Sequence, residues 1–146
     1  MNRALRSPLS VALFLLGTQA GAGEVQTVRV AVRICNYAEV RAEVLDRAKA
    51  EATRIFRQAG VEVVWIDHDL SRRADHIPVA LDEKVFTLKL LPASMAARLP
   101  RPANAFGFAV HLDAYVFVDR VNDVTRDIGL PLPLILGHIM AHELGT

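Results

Sequence analysis

The chain has 146 residues, 52% of them apolar, a formal net charge of +1 and a single cysteine. That length suits one domain with a real core and is short for two. Lysine and arginine are scattered among acidic residues rather than gathered into a block, so nothing electrostatic argues for nucleic acid or an acidic membrane surface as partner.

The first residues have the form of an export signal. Arg3 and Arg6 make a positive region, Leu9 to Leu16 an apolar run, and Ala20-Gly21-Ala22 a small-residue cleavage site. We read residues 1–22 as a signal peptide and 23–146 as one exported domain, periplasmic or extracellular. The run is far shorter than the ~20 residues that span a bilayer, and no cysteine stands directly after it at the cleavage site, so no stable membrane anchor is expected. Removing Arg3 and Arg6 brings the chain near neutrality. Cys35 has no second cysteine to pair with, and its place after the apolar run Val28 to Ile34 reads as that of a small core hydrophobe.

Val25 to Ile34 alternates Val28, Val30, Val32 and Ile34 with Arg29 and Arg33, the period of a strand with one buried face. Asn36 and Glu39 are spaced as a capping box and predict that a helix starts there. Val40, Val44, Leu45, Ala48, Ala52, Ile55, Phe56 and Ala59 recur at three and four along it, and Gly60 is placed to end it in a left-handed cap. Val61 to Ile66 is a second strand, parallel to the first across the helical crossover. The polar stretch Asp67 to Asp82 contains His68, Asp69, Asp75 and His76, but no spacing there matches a ligand pattern, and it reads as a solvated loop. Val85 to Leu91 is a third strand, closed by Pro92, and Ala93 to Leu99 suits a short helix. Ala105 to Val110 and Tyr115 to Val118 suit a hairpin around His111 to Ala114, with Gly107 marking a bend or a close backbone approach. His111 and Asp113 read as surface residues. Asp119 to Ile128 is a polar helix ended by Gly129. The expected class is α+β: a mixed twisted sheet with a βαβ start and an antiparallel edge hairpin, packed against a long helix and a C-terminal helix.

That last helix, Leu130 to Thr146, is apolar nearly all round apart from His138, His142 and Glu143, with Pro131 or Pro133 in its first turn. Burying an ionised glutamate is costly without a compensating cation, hydrogen bonds or a raised pKa. Ala141-His142-Glu143-Leu144-Gly145 resembles the start of the active-site helix of zincin-type zinc metallopeptidases, whose signature is H-E-x-x-H. In that signature two histidines four apart on one helix face bind Zn2+, and the glutamate takes a proton from the bound water. The resemblance implies His142 as a metal ligand and Glu143 as the catalytic base. It also implies an edge strand, here Phe106 to Val110, that pairs with an extended peptide or protein substrate.

The sequence departs from the signature at its fifth position, where Thr146 stands instead of histidine, and no third ligand follows. As written, the chain therefore reads as the N-terminal half of a zincin-like domain, truncated or degenerate, with zinc weak or absent and peptidase activity expected only of an intact relative. His138 and His142 are also four apart and offer a second possible metal pair. The plainer reading of His138 is a half-buried helix residue bonded to backbone or water. The alternative class is a non-enzymatic exported binding module that keeps the fold, with a partner covering the apolar C-terminal helix.

Overall fold

The computed structural model describes residues 27–70, 84–100, 102 and 104–146. The expected signal peptide, the start of the first strand at Val25, and Asp75 and His76 lie outside those residues.

Strand β1 runs over Val28–Asn36, and its alternation does what the pattern requires: Val32 and Ile34 are 1% exposed and enter the main core. The chain does not turn helical at Asn36, as the capping-box spacing predicted. Asn36 still pairs with Leu90, and its side-chain amide both accepts from the Val40 N–H at 3.0 Å and donates to the Val40 carbonyl at 2.8 Å. That clamp closes a short loop in which Glu39 takes a positive φ of 52°, so it cannot serve as the box's glutamate. Helix α1 begins only at Ala42 and runs to Gln58, with Leu45, Ala48 and Ala52 buried. Gly60 at φ 75° then turns the chain into strand β2, Val61–Asp67.

Strand β3 spans Val85–Leu91, as the sequence implied, and the short helix α2, Ala93–Ala96, follows Pro92. Strands β4, Gly107–Val110, and β5, Asp113–Phe117, form the hairpin, with His111 in its turn at φ 57°. Val118, expected at the end of β5, instead opens helix α3, Val118–Ile128, which Gly129 ends at φ 67°. Helix α4 covers Leu132–Gly145, with Pro133 in its first turn, where a missing N–H costs no helical bond.

The five strands form one sheet in the order β2-β1-β3-β5-β4. β1 is parallel to β2 and β3, β3 is parallel to β5, and β4 alone runs antiparallel, as an edge. This is the α+β mixed sheet that the sequence called for. Alternate residues of each strand face α1 and α4, giving a core of Val32, Ile34, Leu88, Leu90, Val116, Leu136 and Met140. The opposite face is only partly covered: Leu91, Ala96 and Phe117 form a smaller cluster under α2. Cys35 is 4% exposed on that face, and burial pushes its thiol up against the opposing pull of Lys89 and Arg33, as suits an inert core residue. Among the described residues no helix is long and apolar enough to cross a membrane.

The all-round apolar character of α4 follows from its neighbours. It packs against α1, α3 and strands β3 to β5, so Leu136, Gly137, Met140 and Ala141 are buried, while Leu134 is 36% exposed. The approach to α1 is close. A Cβ built at Gly137 would lie 2.7 Å from both the Ala48 carbonyl oxygen and the Glu51 Cβ, so glycine sets that helix spacing.

Candidate functional site

The last two turns of α4 run beneath the edge strand β4. Gly107, the first residue of that strand, permits the contact: a Cβ there would lie 2.2 Å from the Tyr115 carbonyl oxygen and 2.9 Å from Glu143 Cγ. Of the bend or close backbone approach expected at Gly107, the structure has the close approach, nearest to the Tyr115 carbonyl and then to the side chain of Glu143. The preceding loop is held by Arg120 of α3, whose guanidinium donates to the carbonyls of Pro102 and Ala105. The Phe117 N–H donates to the Phe106 carbonyl at 2.8 Å, continuing the pairing one residue before β4.

A cleft of about 630 Å3 opens between this strand start and α4, lined by Asn104 to Gly107 and by His138, Ile139, His142 and Glu143. A smaller cleft, about 260 Å3, lies on the other side of the contact, between the hairpin turn and the end of α4, and includes His111, Asp113, Glu143 and Thr146. Glu143 borders both. It is 8% exposed, its carboxyl has no hydrogen-bond or ion-pair partner among the described residues, and burial raises its pKa, opposed only by neighbouring His142. A glutamate so placed takes and holds a proton more readily than one in water.

His142 is exposed at the mouth of the larger cleft. His138, one turn earlier, lines the same cleft, but its Nε2 lies 3.1 Å from Glu51 Oε1 on α1. Its partner is therefore a carboxylate of another helix. Arg54 fixes that carboxylate with two hydrogen bonds, at 2.6 and 3.1 Å, and the hydrogen bond from Arg54 is the main reason Glu51 is held below the usual carboxylate range. The sequence carries no local signal for Glu51 as a neighbour of His138, because it belongs to another element.

The other candidates disperse. His68 lies beyond the end of β2 in a cleft with Asn36, Asp46, Lys49 and Asp67, and Lys49 already pairs with Asp67 at 2.7 Å. Asp113 lies 3.6 Å from Lys89. Among the described residues, no three His, Cys, Asp or Glu side chains come together as a metal-binding group. Thr146 stands four residues after His142, and its hydroxyl donates to the Glu143 carbonyl at 3.1 Å. The donors present thus fit part of a catalytic zinc site, one imidazole and an adjacent buried carboxyl, and do not by themselves make a whole one, which takes three protein ligands.

No protein-family model matches this chain, and no characterised protein or solved structure matches it.

Proposed function

We propose that this chain is an exported zincin-like metallopeptidase homologue, the intact form of which hydrolyses peptide bonds with zinc-bound water. The observation that carries the reading is the passage of edge strand β4 over Glu143, with His142 opening into the same cleft. An antiparallel edge strand offers unpaired backbone groups to an extended peptide, and a peptide laid beside β4 runs past the carboxyl of Glu143. In that arrangement the edge aligns the substrate, and Glu143 accepts a proton from the attacking water and returns it to the leaving amine. Burial favours this by keeping the carboxyl's proton affinity up. His142 is the zinc ligand of the described residues. The metal, when bound, supplies a Lewis acid that lowers the pKa of its water to about 7. The remaining ligands have to come from outside the described residues, whose own donors are expected to hold zinc only weakly.

A second reading has its own observation. Thr146 occupies the position of the second histidine and uses its hydroxyl on the backbone, an arrangement that suits a binding module keeping the fold without the chemistry.

Two titrations of the full chain followed by NMR test these readings: Zn2+ alone, and an unstructured peptide. The peptidase reading expects weak zinc binding that shifts the ring signals of His142 and not those of His68 or His111, together with peptide-induced shifts at Gly107 to Val110. Peptide binding at β4 with no zinc response at His142 would establish the binding module. Zinc at other histidines together with peptide at the β2 edge would refute both.

A further inference from the structure

The sheet face turned away from α1 and α4 carries a second cleft, of about 320 Å3, that the proposed peptidase role does not use. It lies at the carboxyl ends of the parallel neighbours β1, β3 and β5, beside Tyr37, Lys89, Leu91 and Tyr115, and α2 with the turn after it closes the far side through Met95, Arg98 and Leu99.

Its chemistry is specific. Leu91 is 2% exposed, and with Leu99 and the 37% exposed Met95 it gives an apolar floor. Lys89 is fixed to the wall: its ammonium is 3.3 Å from the Tyr115 hydroxyl, 4.8 Å from that ring's centroid and 3.6 Å from Asp113. Burial works against its charge, but Tyr115 and Asp113 more than offset that and keep it protonated above the usual lysine range. Tyr115 is itself immobilised by stacking on Phe108 at 4.6 Å. An ammonium has three donors, and those two neighbours leave one for a ligand. Arg98 is exposed and has no ion pair among the described residues, so the cleft is lined by two cations, with the carboxylate of Asp113 lying beside Lys89 outside its lining.

We propose that this cleft binds a small organic anion with a flat apolar body, an aromatic carboxylate, with the ring on Leu91 and Leu99 and the carboxylate between Lys89 and Arg98. An inorganic anion would find the cations but not use the floor, and a neutral aromatic would do the reverse. The volume is at the lower end of the range for small-molecule pockets, which suits one or two fused rings.

The test is an amide-shift titration of the full chain with 2-naphthoate, 2-naphthamide and inorganic phosphate. Naphthoate is expected to give saturable shifts at Tyr37, Lys89, Leu91, Leu99 and Tyr115, with the amide binding about tenfold more weakly and phosphate giving no saturation there at equal concentration. Lys89→Met should weaken naphthoate about tenfold. Arg98→Gln, a change at an exposed position that leaves folding alone, should weaken it roughly threefold, as for a rim charge. Glu143→Gln should leave it unchanged, separating this cleft from the one beneath β4. Equal binding of naphthoate and naphthamide, saturation by phosphate, indifference to Arg98→Gln, or shifts confined to α4 and β4 would each overturn the proposal.

Discussion

Gly107→Ala tests the contact on which the candidate site is built. The new Cβ would stand 2.2 Å from the Tyr115 carbonyl oxygen, about 1 Å inside an ordinary carbon–oxygen contact, and 2.9 Å from Glu143 Cγ. The glutamate can rotate away. The oxygen cannot, because it belongs to the backbone of the strand that β4 pairs with, so β4 must lift at the Gly107–Val116 end of its four-residue ladder. Overpacking of this kind costs ~1–3 kcal/mol, and a weakened ladder bond adds ~1 kcal/mol. Against that stands ~0.4–1 kcal/mol from the lower unfolded-state entropy of alanine. The net expectation is a loss of ~2–3 kcal/mol, read by urea unfolding and as a fall in Tm of roughly 10 °C. The double variant G107A/E143A should recover less than half of the loss, because it relieves the smaller clash only. A G107A protein as stable as its parent, with unchanged β4 amide shifts, would refute the contact and with it the placement of Glu143 under the edge strand.

Gly137→Ala pits two effects against each other: alanine gains ~1 kcal/mol of helix propensity, while its Cβ meets Ala48 and Glu51 at 2.7 Å, so thermal melts should show a net loss of ~1 kcal/mol, where an uncrowded site would show a gain. Leu136→Ala, at a 0% exposed core position, should cost ~2–5 kcal/mol in urea unfolding. Asn36→Ala removes both bonds to Val40 and should cost ~1–2 kcal/mol, with faster hydrogen exchange at Val40 as the local readout. Glu143→Gln should stabilise the protein at pH 7, because the neutral amide escapes the desolvation that the charged carboxylate suffers there. Because the folded protein holds the Glu143 proton more tightly than the unfolded chain does, this residue's cost is absent below the ordinary carboxylate range. It grows as pH rises from there through the raised value, so the variant's stability should climb relative to the parent over that window and level off above it.

Strand alternation and strong punctuation were what the sequence disclosed best. Val85 to Leu91 carried its own boundaries in β-branched and apolar residues ending at Pro92, Gly60 took the left-handed conformation expected of it, and Gly129 ended its polar helix in the same conformation. The start of α1 was misread because the capping-box pattern is local, whereas Asn36 was committed by a long-range pairing to Leu90 that no local pattern encodes. In the site, His142 and Glu143 were legible as polar residues on an apolar helix, and Gly107 as a point of close approach. The Glu51 carboxylate beside His138 was not, since it depends on how closely α1 and α4 pack, and that spacing is set by Gly137, which looked unremarkable in sequence.

The distribution of polar groups along α4 bears on which of its residues has chemical work to do. His138 and His142 are exposed, so imidazoles at those positions cost the fold little. Glu143 is different: it sits between strand and helix where Met140 and Leu136 are fully buried one and two turns earlier, and an apolar side chain there would add to the core rather than strain it. Among the described residues only His142, alongside, pulls its pKa down, and desolvation raises it despite that neighbour. A carboxyl kept at such a cost, open on two sides to clefts along the edge strand, has the accessibility that a structural residue would not need and a proton-transfer residue must have. That asymmetry between Glu143 and the two histidines places the weight of the proposed function on Glu143, and on β4 above it, rather than on the number of metal ligands in view.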